Sequence, residues 1–256
     1  MTGISEDTPH SAGAVDIGGR ALYLEWQGSG GPTVILESGY GHSGLVWQRD
    51  VLSRGWGPAP EPRTTVFDGV AAFTRVVLYD RPGTVMPGAD GLTFSRSDPA
   101  PMPRTAAALV DDLHAALTAA ELTPPYVFVG HSLGGLLGRL FDARHPGEIA
   151  GMVMVDAFSP ELWAGLEGAL TPDEWAAMRS LEEAPRAQLQ AIYPDAELLD
   201  LDTLSRVEAS LTLSPMRLVV LTRGRPLSDV VPAEAVPAGF RWDVVERVAA
   251  ETQAAL

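Results

Sequence analysis

The sequence predicts an α/β fold, in which a mostly parallel central sheet carries helices on both faces. Three observations predict it. Short apolar runs recur along the chain, segments of helical period lie between them, and Gly or Pro residues separate the two kinds of segment. Strands that alternate with helices in this way form parallel sheets. At 256 residues the chain fits one large domain.

The early part of the chain predicts a tail and three strands. Residues 1–19 are polar and rich in small residues, which predicts a disordered tail ahead of a domain at 20–256. Ala21–Gln27 and Thr33–Leu36 flank a glycine-rich turn, and this arrangement predicts a strand pair. Arg75–Tyr79 predicts a buried strand that opens into a loop.

Strand and helix alternate in the later part of the chain. Apolar positions at helical spacing predict a helix over Thr105–Ala120. The next predicted elements are, in order, a strand at Tyr126–Val129, a helix at Ser132–Arg144, a strand at Met152–Val155, a helical insertion at about 159–211, a strand at Met216–Leu221 and a helix at Trp242–Leu256. Capping signals at Thr171–Glu174 support the helical interpretation of the insertion.

Composition restricts the classes of function. A formal net charge of -15 disfavours nucleic acid and anionic membrane surfaces as partners. Cysteine is absent and every basic side chain except histidine is arginine, which excludes cysteine nucleophiles, thiolate metal sites and lysine Schiff bases. The sequence shows neither a membrane-spanning run nor a secretory signal. We expect a cytoplasmic protein that acts on a small molecule without a cofactor, and its oligomeric state stays open.

One motif points to nucleophilic catalysis. Gly130, His131, Ser132, Leu133 and Gly134 match the pattern Gly-x-Ser-x-Gly between an apolar strand and a helix. A serine on so sharp a turn needs small neighbours, because its backbone is strained and the helix passes close to the strand. This context favours a nucleophilic serine over an ordinary glycine turn. A dinucleotide-binding loop is the rival, but the glycines lack the Gly-x-Gly-x-x-Gly spacing.

From about Ala21 onwards, the chain resembles the α/β-hydrolase superfamily, and its serine esterases in particular. Three segments resemble the oxyanion loop, the loop after the fourth strand and the nucleophile elbow, namely Leu36–Ser43, Tyr79–Gly83 and Val129–Gly135. The resemblance implies that Ser132 attacks an acyl carbon. It also implies that the backbone amides of Tyr40 and Leu133 form the oxyanion hole.

A serine nucleophile needs a histidine base and a carboxylate that orients the base. Asp156 directly follows the strand after the nucleophile helix, whereas Asp229 lies beyond the next strand; we favour Asp156 and keep Asp229 as the alternative acid. The superfamily places its histidine after the last strand, and none of the five histidines here lies there. Only His42 has a route into the site, since we expect His131 to point elsewhere.

The missing histidine has two explanations, a truncated chain or rescue by His42. We favour truncation, because the final strand, the histidine loop and the closing helix that the superfamily has are all absent. Truncation predicts an impaired hydrolase. It also predicts that the strand at Met216–Leu221 is an open edge with exposed apolar surface, and that the chain is poorly soluble.

The insertion at about 159–211 takes the place of a cap over the active site. Its apolar residues either line a substrate pocket or pack the cap onto the body: Trp163, Leu166, Leu170, Trp175, Met178 and Leu181. Either role suits a small to medium, mainly apolar carboxylic ester or a related acyl bond. A noncatalytic ligand-binding protein and an acyltransferase are the alternatives on this fold. The histidines and carboxylates show no metal-ligand spacing, so we expect no metal site.

Overall fold

The computed structural model describes residues 9–49, 64–88, 91–200, 211–229 and 231–255. Its strands are β1 His10–Asp16, β2 Ala21–Gln27, β3 Thr33–Glu37, β4 Val76–Tyr79, β5 Val85–Gly88, β6 Gly91–Phe94, β7 Tyr126–His131, β8 Ile149–Val155 and β9 Arg217–Leu221. Its α-helices are α1 Val66–Ala71, α2 Ala106–Ala119, α3 Leu133–Arg144, α4 Pro160–Ala169, α5 Pro172–Ile192 and α6 Trp242–Ala254. Short 3₁₀ helices cover Gly44–Gln48, Leu227–Asp229 and Ala233–Ala235.

The central sheet is mixed and mostly parallel, as predicted. Its strand order is β1-β2-β4-β3-β7-β8-β9. β1 and β2 run antiparallel to their neighbours, while β4, β3, β7, β8 and β9 pair in parallel. Because the carboxyl ends of parallel strands meet at one edge of a sheet, the loops after β3, β4, β7 and β8 come together there.

Helices cover both faces of the sheet, which also agrees with the prediction. On one face, α2 and α3 bury Leu113 and Phe141 against Phe128 of β7. On the other face, Phe67 of α1 packs on Val76 of β4. Burial of such side chains contributes about 25 cal/mol per Å² of apolar surface. Within the described residues, no helix has the length and apolar character needed to span a bilayer.

The prediction of a disordered tail at residues 1–19 is wrong for its described part. From residue 9 onwards this segment is ordered and contains β1. β1 pairs with all of β2 from His10 opposite Gln27 to Asp16 opposite Ala21. Val15 and Ile17 pack against the core. The polar composition hid this strand because its stability comes from backbone pairing with β2 and from two apolar anchors. The expected tail residues 1–8 lie outside the described residues.

Two further expectations about the strands were wrong. β2 and β3 are not paired with each other, because β4 lies between them in the sheet. β5 and β6 form a separate antiparallel hairpin, where the polar and Pro-rich sequence indicated no strand. Both errors concern pairing partners, which a local pattern of residues does not specify.

The predicted helical insertion contains α4 and α5, and residues 201–210 of it lie outside the described residues. The capping box at Thr171 is present: Glu174 Oε2 accepts a hydrogen bond from the Thr171 amide at 2.8 Å, and Thr171 Oγ1 accepts one from the Glu174 amide at 3.4 Å. Leu166, Met178 and Val245 share a buried cluster that joins α4 and α5 to α6. Several of the apolar residues proposed above therefore pack helix on helix.

β9 is an edge strand of the described sheet, as predicted from the sequence. Its side chains are half-buried at most, and Val219 and Leu221 are each 49% exposed. An exposed apolar edge presents unpaired backbone groups to other chains. The poor solubility expected from this edge stays a prediction.

Candidate active site

Ser132 lies on a sharp turn between β7 and α3. Its backbone has φ 52° and ψ −119°, a conformation that costs a residue with a side chain about 1–3 kcal/mol. Three backbone hydrogen bonds hold it: the Ser132 amide donates to Val155 O at 3.1 Å, and Ser132 O accepts from the amides of Gly135 and Phe158 at 3.0 Å each. The residue is half-buried, and the turn lies at the carboxyl edge of the sheet.

Glycines around Ser132 allow this close approach of helix to strand. A methyl group on Gly134 would lie 2.6 Å from Glu37 O, and one on Gly135 would lie 2.5 Å from Ala157 Cβ. One on Gly130 would overlap the backbone of Gly134. These positions accept no side chain without a shift of the backbone, which accounts for the glycines in the motif.

The loop after β3 comes into contact with the turn. A methyl group on Gly39 would lie 3.3 Å from Ser132 Cβ and 3.1 Å from Nδ1 of His131. The close approach of the loop to the serine therefore leaves little room for a side chain at Gly39. The two amides expected to form the oxyanion hole adjoin this contact, since Tyr40 follows Gly39 and Leu133 follows Ser132.

A buried arginine organises the same loop. Arg81, which is 1% exposed, donates from Nη2 to Gly39 O at 2.7 Å and from Nε to Glu197 Oε1 at 2.6 Å, and it also pairs with Glu37. Burial raises the pKa of Glu37 and the charge of Arg81 opposes that rise. Although burial disfavours the Arg81 cation, the charges of Glu197 and Glu37 hold its pKa well above the usual value. Both glutamates thus neutralise one internal cation.

Residues after α5 bind the other side of this loop. Glu197 Oε2 accepts from the Gly41 amide at 2.7 Å, and Tyr40 Oη accepts from the Leu199 amide at 3.1 Å. The guanidinium carbon of Arg186 lies 4.0 Å from the centre of the Tyr40 ring. Sequence reasoning missed Glu197, because nothing local distinguishes it from the other acidic residues of the insertion.

Asp156 directly follows β8, next to the turn of Ser132. Its φ of 42° is again unusual for a residue with a side chain, and its amide donates to Leu221 O at 2.7 Å. Its Oδ1 accepts from Gln253 Nε2 at 2.6 Å, and its Oδ2 lies 3.6 Å from Nη1 of Arg223. A groove of about 320 Å³ between β9 and α6 adjoins these partners.

The alternative acid, Asp229, lies elsewhere. It ends the 3₁₀ helix Leu227–Asp229, is exposed, and donates from its amide to Pro226 O at 3.1 Å. Within the described part of the chain, no hydrogen bond or ion pair links its carboxylate to the turn of Ser132. Asp156 follows Val155, whose carbonyl accepts the hydrogen bond from the Ser132 amide, and it therefore stays the favoured acid.

Two histidines, His131 and His42, belong to the turn of Ser132 and to the loop after β3. The ring of His131, which we expected to point elsewhere, faces the loop after β3, since a methyl group on Gly39 would lie 3.1 Å from its Nδ1. Burial lowers the pKa of His131 and the charge of Asp156 partly offsets this. Loss of solvent and then the charge of His131 lower the pKa of His42, which lies on the loop after β3. All five histidines belong to the described residues, and none of them bonds to the Asp156 carboxylate.

Aromatic side chains border the turn. Phe158, whose amide bonds to Ser132 O, has its ring 6.5 Å from that of Trp163, and Trp163 lies 5.1 Å from Trp175. Packing is the role that the contacts of several of these residues show. Leu166, Leu170 and Met178 pack against α6, whereas Trp163 faces Phe158 near the serine.

Comparisons with known proteins agree on one family. The family described as "Alpha/beta hydrolase family" matches residues 34–253. An uncharacterized protein of Bacillus subtilis, YqjL, is 32% identical over 141 residues, or 55% of this chain and 46% of that protein. A protein of Yersinia enterocolitica named "Putative carbamate hydrolase RutD" is 30% identical over 140 residues, or 54% of this chain and 41% of its own length. The chain thus spans less than half the length of these two relatives.

Among solved structures, wild-type Cfl2 of Burkholderia cenocepacia has a TM-score of 0.50 and 20% sequence identity. The likeness covers 71% of this chain and 52% of that one. At this level of identity it shows the fold alone.

Proposed function

We propose that this chain, which belongs to the alpha/beta hydrolase family, is a serine hydrolase that cleaves a small to medium, mainly apolar carboxylic ester or a related acyl bond through an acyl-enzyme on Ser132. The observation that carries the proposal is the strained backbone of Ser132, with φ 52°, on a glycine-lined turn between β7 and α3. Such a turn presents a serine hydroxyl to a substrate at the carboxyl edge of the sheet.

In this proposal the oxyanion hole stabilises the charge that develops on the carbonyl oxygen. The amides of Tyr40 and Leu133 are its donors, and the contact of Gly39 with Ser132 supports that assignment. Arg81 and Glu197 are positioning residues, because they hold the loop without touching the reacting atoms. Loss of one oxyanion-hole donor typically costs about 2.7–4 kcal/mol of transition-state stabilisation.

Asp156 is the proposed acid. Among the described residues, no histidine forms a hydrogen bond with its carboxylate. A triad carboxylate orients the histidine and stabilises its charged form. Here Gln253 donates a hydrogen bond to the Asp156 carboxylate and Arg223 forms an ion pair with it. We therefore propose slow turnover from a site without its triad histidine, and rescue by His42 is the alternative. If replacing His42 by Ala leaves turnover unchanged, rescue by His42 is excluded.

The proposed substrate class rests on the surroundings of Ser132. Phe158 and Trp163 offer apolar contacts to an acyl chain. The two arginines near the loop are paired with glutamates, Arg81 with Glu197 and Arg186 with Glu182, so neither favours an anionic substrate. The name of the Yersinia relative keeps carbamates among the related acyl bonds.

Hydrolysis of nitrophenyl esters tests this function. We expect slow release of nitrophenol from the uncharged butyrate ester, and slower release from an ester with a carboxylate on its acyl chain. Ser132→Ala should reduce the rate to background, whereas Ser11→Ala, at an exposed site on β1, should not change it. Turnover that persists in Ser132→Ala would refute the nucleophile. Faster turnover of the charged ester would refute the substrate class alone.

A second candidate is a noncatalytic ligand-binding protein of the same fold. The observation that favours it is the Asp156 carboxylate, which bonds to Gln253 rather than to a histidine. This candidate predicts saturable binding of the butyrate ester with no release of nitrophenol above background in the unmodified chain. An acyltransferase would instead release more nitrophenol when an alcohol acceptor is added.

A further inference from the structure

A second group of chemically active side chains lies at the amino end of β8, remote from Ser132. The fold brings together His114 of α2, His145 after α3 and Glu148 before β8, and one ligand atom of each lies within 4.8 Å of the others. We propose that these three residues form a site for a divalent transition-metal ion such as Zn²⁺. β8 is 7 residues long, so Glu148 before it and Asp156 after it are about 26 Å apart.

The backbone holds two of the three ligands in place. His145 and Glu148 are the ends of a turn in which the Glu148 amide donates to His145 O at 3.2 Å. Pro146 and Gly147 are its central residues, and Gly147 has the positive φ, 85°, that a type II turn requires. The His145 amide also donates to Phe141 O at 2.8 Å. A binding site that the fold has already ordered costs less entropy to occupy.

Two of the ligand atoms are buried without a hydrogen-bond partner. Within the described residues, His145 Nε2 and Glu148 Oε2 are both buried and unpaired. Buried polar atoms of this kind are rare, and a bound ion is one of their ordinary explanations. His114 Nε2 lies 3.3 Å from Glu148 Oε1, a hydrogen bond that an ion between these side chains would replace. One ion would satisfy both orphaned atoms.

The chemistry of the ligands selects the class of ion. Two imidazoles and one carboxylate suit Zn²⁺ and its neighbours, whereas Mg²⁺ and Ca²⁺ prefer oxygen ligands. The nearby Arg144 cation is paired with Asp111 at 2.6 Å.

Binding requires one ring to turn. The rings of His114 and His145 are stacked with centroids 3.7 Å apart and an angle of 5° between their planes. A ring nitrogen binds metal in the plane of its ring, so two parallel rings cannot share one ion. His114, whose side chain is 32% exposed, has room to rotate about its broad second torsion. Metal binding should therefore break the stack.

Titration of the whole chain with ZnCl₂, after removal of metals by a chelator, tests the site. Calorimetry should give one ion per chain, and at 100 times the dissociation constant the melting temperature should rise by about 5–10 °C. His114→Ala and Glu148→Gln should each weaken binding at least tenfold. His10→Ala is the matched control, since His10 pairs with Glu25 at 3.1 Å on the exposed strand β1, and it should leave binding unchanged.

The ring nitrogens of the unmodified chain give a readout that needs no variant. Zinc should shift the ¹⁵N resonances of His114 Nε2 and His145 Nε2 and leave those of His10 unchanged. The proposal is wrong if the folded chain binds no zinc, if His114→Ala binds as tightly as the unmodified chain, or if the zinc-shifted nitrogens belong to other histidines.

Discussion

The two sides of Ser132 differ in how deeply their side chains are buried. On the side of the oxyanion loop, Arg81 is 1% exposed and pairs with two buried glutamates. On the side of the acid, the Asp156 side chain is 28% exposed, and the neighbouring strand β9 leaves Val219 and Leu221 each 49% exposed. One half of the candidate site is therefore fixed inside the protein, and the other half faces solvent.

This difference has a consequence for catalysis. Donors that are fixed in a region of low dielectric stabilise a developing charge without reorganising, which makes the oxyanion side the stronger contributor. A carboxylate in contact with water interacts more weakly with a base, because solvent screens its charge. We expect the oxyanion side to determine whether the site forms and the acid side to limit how fast it works. Three substitutions test this contrast.

The largest effect is expected at the buried charges. Arg81→Met leaves the carboxylates of Glu37 and Glu197 without their cation, and breaking a buried pair in this way costs about 3–5 kcal/mol. Urea unfolding should show this loss. Arg247→Ala is the control, because it removes an exposed pair with Glu251 and should change stability by less than about 0.5 kcal/mol. Similar losses of stability in the two variants would contradict the expected difference between buried and exposed ion pairs.

An intermediate effect is expected at the turn itself. Gly134→Ala places a methyl group 2.6 Å from Glu37 O, and such overpacking costs about 1–3 kcal/mol. It should also slow ester cleavage, because the turn must shift. Gly168→Ala in α4 is the control, since nothing lies within 4 Å of the added methyl, and it should stabilise the helix by up to about 1 kcal/mol. An unchanged free energy of unfolding in Gly134→Ala would contradict the close packing of this turn.

The smallest effect is expected at the edge of the sheet. Val219→Thr changes an exposed position on β9 and should alter the free energy of unfolding by less than about 0.5 kcal/mol. The same change at Val77, which is 1% exposed in β4, buries a hydroxyl and should cost about 1–3 kcal/mol. Light scattering should show less self-association for Val219→Thr. Unchanged association would mean that the β9 edge does not attract other chains.

The parts of the molecule that the sequence predicted are those that depend on local patterns. Helix α2 lies at Ala106–Ala119, within one residue of the prediction at each end, because its period and its Thr105 cap are local signals. The turn at Ser132 was predicted for the same reason, since glycines next to the serine leave room for the helix.

The parts that were missed depend on contacts between distant residues. β1 was interpreted as a tail because its partner β2, and not its own composition, makes it a strand. Glu197 lies 116 positions from Arg81, and no pattern near either residue indicates that the two meet. The same holds for His114 and Glu148, which are 34 positions apart. Topology brings these residues together, and a single sequence gives little information on topology.

The most direct test of the central claim is the site at which a fluorophosphonate probe reacts with the folded chain. Peptide mass spectrometry should find the phosphonyl group on Ser132, slowly formed but faster than on any other serine, and should find no such adduct in Ser132→Ala. If the probe reacts with Ser132 no faster than with exposed serines such as Ser11, the hydroxyl is not an activated nucleophile and the proposed hydrolase function is wrong.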